Sequence, residues 1–60
     1  GYRRGIVKLA QKRGHPRLAA TLCANHLREN GFDPYYAKQL KELERAGFAP
    51  LGAAMKAAAE

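Results

Sequence analysis

Leu27-Arg28-Glu29-Asn30-Gly31-Phe32-Asp33-Pro34-Tyr35-Tyr36-Ala37-Lys38-Gln39-Leu40-Lys41-Glu42-Leu43-Glu44-Arg45-Ala46-Gly47-Phe48 is the stretch whose punctuation decides the fold. Asn30-Gly31 is a helix stop, because glycine enters the left-handed backbone region that ends a helix at little cost. Asp33 is a natural N-cap, Pro34 suits the first helical position, and Phe32 is placed to staple the turn to the helix that follows. The spacing then predicts a helix over 34–46. Tyr36 (or Ala37), Leu40 and Leu43 face inward, while Lys38, Lys41, Glu42 and Arg45 face out. Gly47 ends this helix, and Phe48 is expected to fold back onto its last turn.

Upstream, Pro16 opens a second helix that reaches to about residue 30. Leu18, Leu22, Cys23, His26 and Leu27 form its apolar stripe, with Ala19, Ala20 and Ala24 beside it as small residues that admit another helix closely. Gly14-His15-Pro16 closes a first helix over 2–13, where Tyr2, Ile6, Leu9 and Ala10 share one face and Arg4, Lys8, Gln11 and Lys12 the opposite one. Gly5 costs that helix about 1 kcal/mol relative to alanine. Downstream of Ala49-Pro50, residues 51–59 read as a short alanine-rich fourth helix with Leu51 and Met55 as its large apolar residues. Ile6, Val7 and Thr21 are the only β-branched residues, so no strand pattern emerges. The expected fold is all-α: a small three-helix bundle with a short fourth C-terminal helix, one domain over residues 1–60. Sixty residues bury only about 60% of the surface their unfolded form exposes. Together with an opening Gly-Tyr, this suggests a piece of a larger protein.

The charge is polarised. Arg3, Arg4, Lys8, Lys12, Arg13 and Arg17 fall in the first 17 residues with no acid among them, while all five acids lie beyond, within a net charge of +6. Such a field points to a polyanionic partner, most often nucleic acid. Arg4, Lys8 and Lys12 recur every fourth residue and so line one side of the helix at intervals of about 6 Å, a spacing that suits a row of phosphates. Arg3, Arg13 and Arg17 flank the row. His15, in its Gly-His-Pro turn, reads as a surface residue able to donate to a phosphate. On the third helix Tyr35, Lys38 and Lys41 form a second, weaker candidate surface, with the Tyr35 ring expected to be exposed and Glu42 and Glu44 reducing the local field.

The sequence points away from catalysis. It has no glycine-rich phosphate loop. His15 and His26 lack partners at metal-ligand spacing, so neither metal nor cofactor is expected. Cys23 and His26 are neighbours on one helix, but without a cleft or an orienting third group they read as core and core edge, the histidine bonded to a local partner. A lone cysteine forms no internal disulfide and suits a reducing compartment. No apolar run approaches the roughly 20 residues of a membrane span, and no signal peptide is visible. The expected setting is cytoplasmic or nucleoid-associated.

Two resemblances add to this. Residues 27–48 resemble the second half of a winged-type helix-turn-helix, whose L-x-x-L-E-x-x-G-[LF] ending is met by Leu40, Leu43, Glu44, Gly47 and Phe48. The turn-to-Leu40 spacing is one residue shorter here, and alanines follow in place of wing strands. That resemblance implies that Tyr35, Lys38, Gln39 and Lys41 lie near the exposed start of a recognition helix; a plain helical hairpin is the alternative. Residues 2–47 resemble the C-terminal region of IstA-type insertion-sequence transposases through Tyr2, Arg3, Gly5, Ile6, Leu9, Ala10, Gly14, Arg17 and Leu18. This implies a non-catalytic helical module for transposon DNA or a partner ATPase. The expected function is nucleic-acid binding, with DNA favoured, through the basic first helix. The alternative is a docking module for another protein or for the rest of a longer chain.

Overall fold

The computed structural model describes residues 2–51, with the side chain of Tyr2 left aside. Three helices follow in order: α1 (Tyr2–Lys12), α2 (Pro16–Asn30) and α3 (Pro34–Arg45). The expected fourth helix over 51–59 lies, beyond Leu51, outside the described residues. No strand occurs among the described residues.

Each boundary has a local cause. Gly14, at φ 79°, and Gly47, at φ 94°, close α1 and α3 in the same manner. The His15 N–H donates to the Ala10 carbonyl at 2.8 Å and the Phe48 N–H to the Leu43 carbonyl at 2.9 Å. Paired with them, the Gly14 N–H donates to the Gln11 carbonyl at 3.2 Å and the Gly47 N–H to the Glu44 carbonyl at 3.0 Å, completing a Schellman turn at each end that satisfies carbonyls otherwise left bare. Asp33 caps α3 as its sequence implied: its Oδ1 accepts from the Tyr35 N–H at 3.0 Å, with Pro34 in the first position. Phe32 does not staple the turn; its residue is 81% exposed.

α2 is the centre, packed against α1 on one side and α3 on the other. Long side chains link α1 and α3: Arg4 lies over the Tyr35 ring, and Gln11 Nε2 donates to Gln39 Oε1 at 3.4 Å. Because Arg4 pairs with Tyr35 and Gln11 with Gln39, the two outer helices run in the same sense. The core is small: Val7, Ala10, Ala19, Ala20, Cys23, Tyr36 and Leu43 are buried, with Leu22, Leu27, Tyr35 and Leu40 packed around them.

Two faces differ from the sequence expectation. On α1 the inward line runs through Val7 and Ala10, while Leu9 is 46% exposed. On α2 the deepest residues are Ala19, Ala20 and Cys23, while Leu18, expected in the apolar stripe, is also 46% exposed. One physical cause serves both. α2 is held between two helices, so its buried line carries its smallest side chains, and a helix lying close to alanine presents Val7 and Ala10 more readily than a leucine.

The chain then turns back. Arg17 Nε donates to the Ala49 carbonyl at 3.4 Å, the Leu51 N–H donates to Thr21 Oγ1 at 3.0 Å, and Pro50 is buried. The segment after α3 is thereby fixed on the first turns of α2.

Candidate nucleic-acid interface

With Val7 and Ala10 inward and about 100° of rotation per residue, Lys8 and Lys12 project from the outward side of α1. Both are exposed, as is Arg13 at the helix end. Among the described residues Arg3 forms an ion pair with Glu29 and the His26 ring lies against Asp33; Lys8, Lys12 and Arg13 enter neither contact. On α1 and its C-terminal end, these three are the described cations that enter neither an ion pair nor the cation–π contact.

Arg3 and Arg4 are engaged, which corrects the expectation of one continuous row. Arg3 Nη1 donates to His26 Nδ1 at 3.1 Å and lies 3.7 Å from Glu29 Oε2. Arg4 places its guanidinium carbon 4.4 Å from the centre of the Tyr35 ring, a cation–π contact worth about 0.5–1 kcal/mol at an exposed site. Tyr35 is therefore not free to stack on a sugar or base. It is half-buried, edge-on to Tyr36 at 5.2 Å, and its hydroxyl is buried with no hydrogen-bond partner among the described residues. Arg17 remains exposed but spends its Nε on the Ala49 carbonyl.

Lys38 and Lys41 are exposed on α3, as expected. The contacts of Arg4 with Tyr35 and of Gln11 with Gln39 draw the edges of α1 and α3 together. Helical spacing then puts Lys8 and Lys38 beside the same seam, with Glu42 on the α3 flank and Lys41 further round.

His26 is the residue whose reach the sequence did not reveal. Its ring stacks on Tyr36 with centroids 3.7 Å apart. Nδ1 accepts from Arg3, which assigns the proton to Nε2, and Nε2 lies 3.5 Å from Asp33 Oδ2. Asp33 thus serves the α3 N-terminus with one oxygen and faces His26 with the other. The expected local partner of a ring nitrogen is Asn30, whose Nδ2 lies 3.5 Å from His26 Nδ1 and also donates to the His26 carbonyl at 3.2 Å. Arg3 lies 23 residues away, beyond any periodicity.

Cys23 is fully buried, and burial in apolar surroundings pushes its thiol pKa up, which disfavours the reactive thiolate. Among the described residues no group of three His, Cys, Asp or Glu side chains is placed to hold a metal ion, and no helix is long and apolar enough to cross a membrane. Comparison with protein-family models, with curated proteins and with solved structures gives no match.

Proposed function

We propose that the chain is a non-catalytic nucleic-acid-binding module that docks duplex DNA against the outward side of α1. One observation carries this reading: Lys8, Lys12 and Arg13 stand exposed and outside the ion pairs, on an end of the chain that has no acid through residue 17. Phosphate contacts of this kind supply affinity and orientation but no base readout. The Tyr35 ring, covered by Arg4, leaves that seam without an open aromatic platform, and single-strand binding relies on such platforms. A duplex backbone is the better match. Lys38 and Lys41 add a second contact on α3, in the manner of a helix-turn-helix. The resemblance of residues 2–47 to IstA-type transposases makes transposon DNA the finer form of the proposal.

The test is a fluorescence titration of a short duplex with the parent chain and with Lys8→Ala/Lys12→Ala/Arg13→Ala. The expected result is retained helicity with most affinity lost. Equal binding by the two proteins would refute the reading.

A second reading, docking onto a protein, draws on a different observation. Leu18, Phe48 and Leu51 are all exposed and line one cavity.

A further inference from the structure

The cavity that Leu18, Phe48 and Leu51 line has a volume of about 520 Å³ and lies where the α1–α2 loop, the first turn of α2 and the returning segment meet. Its walls are fixed by the fold. The Gly47 turn sends Phe48 back, with the Phe48 N–H on the Leu43 carbonyl. Arg17 holds the Ala49 carbonyl and Thr21 holds the Leu51 N–H. Three large, partly exposed apolar side chains are thus grouped on an anchored frame, a grouping suited to an interaction site.

The charge around the cavity selects the occupant. Its remaining lining is Gly14, His15, Pro16 and Arg17, with no acid among them. Exposed Arg13 directly precedes Gly14. An apolar floor offers phosphates nothing, whereas a basic rim repels a basic segment and favours carboxylates. We propose that this groove captures an acidic amphipathic segment of a partner protein, its apolar side chains on Leu18, Phe48 and Leu51 and its carboxylates beside Arg13 and Arg17. This rests on the docking reading and deepens it; it shares Arg13 with the duplex surface on α1, so its test turns on Leu18, which that surface does not use. Helix-in-groove recognition has this form: anchors one turn apart enter an apolar trough while rim charges fix the register.

Fluorescence anisotropy on the full chain tests it, with three labelled synthetic peptides. All carry Leu at i and i+4 and differ only in their polar positions: Glu/Asp, Ser/Gln or Lys/Arg. The Glu/Asp peptide is expected to bind most tightly. Leu18→Ala and Leu18→Gln should each weaken it about tenfold, a loss in the range of an anchor residue. Because Leu18 is already exposed, both variants should keep parental helicity and duplex affinity. Tightest binding by the Ser/Gln or Lys/Arg peptide would overturn the acidic partner while leaving docking itself in place. Binding by none of the three would overturn both, as would Leu18 variants that bind like the parent.

Discussion

His26 joins all three helices. It sits on α2, stacks on Tyr36 of α3, accepts from Arg3 of α1 and faces the Asp33 cap. Stacking of this kind adds about 0.5–1.5 kcal/mol beyond buried area, and the polar links on both ring nitrogens add to it. His26→Ala is therefore expected to destabilise the chain by about 1–3 kcal/mol. His26→Phe keeps the stack, loses both polar links and should fall between the variant and the parent. Urea unfolding monitored by circular dichroism checks the order. Cys23 gives a prediction with a sign. Its thiol pKa is raised in the fold by burial, so the folded chain holds its proton where the unfolded chain has lost it. That contribution to stability is fully present below the ordinary thiol pKa and is lost as pH rises through the folded value. Melts of the parent and of Cys23→Ala across this alkaline range should show a stability gap that narrows or reverses as the parent loses more. Parallel pH profiles would rule out thiolate formation as the cause.

At the scale of the helix, the arrangement depends on α2 being thin. Ala19 and Ala20 are fully buried on the helix that packs against both others, so side chains this small allow close packing around α2. Ala20→Leu adds methylenes where no room exists and should cost about 1–3 kcal/mol or more; Leu18→Ala, on an exposed position of the same helix, should cost little. Thermal melting of the two variants side by side checks the contrast. The same geometry explains what was legible beforehand. Helix boundaries were, because Gly14, Asn30-Gly31, Asp33-Pro34 and Gly47 encode them in backbone chemistry that acts locally. The inward side of α3 was legible at Leu40 and Leu43, which stand between polar neighbours; at its start the choice between Tyr36 and Ala37 stayed open, and Tyr35, expected outside, packs against the core. The inward side of α1 was not. Ile6, Val7, Leu9 and Ala10 are nearly contiguous and admit two phases, and the choice between Val7 and Leu9 depends on the thin surface α2 presents. The basic row was visible as a row, but the diversion of Arg4 onto Tyr35 and of Arg3 onto His26 requires contacts 23 residues or more apart.

Across the whole molecule, charge and packing are divided between α1's two sides. Its inner side gives Val7 and Ala10 to the core, while Arg3 and Arg4 clamp α1 to α2 and α3. Its outer side is left with Lys8, Lys12 and, at the end, Arg13. A net charge of +6 on 60 residues repels itself, and a polyanion that neutralises part of it relieves that repulsion as it binds. The salt dependence of duplex affinity measures this directly. Each phosphate neutralised contributes about −0.9 to the slope of log K against log salt for B-form DNA. Contacts from Lys8, Lys12 and Arg13, with Lys38 and Lys41 on α3, give an expected slope of about −4 to −5. In Lys8→Ala/Lys12→Ala/Arg13→Ala that slope should shrink to about −2. A parent slope near zero, or one that the triple substitution leaves unchanged, would contradict phosphate docking on the outer side of α1.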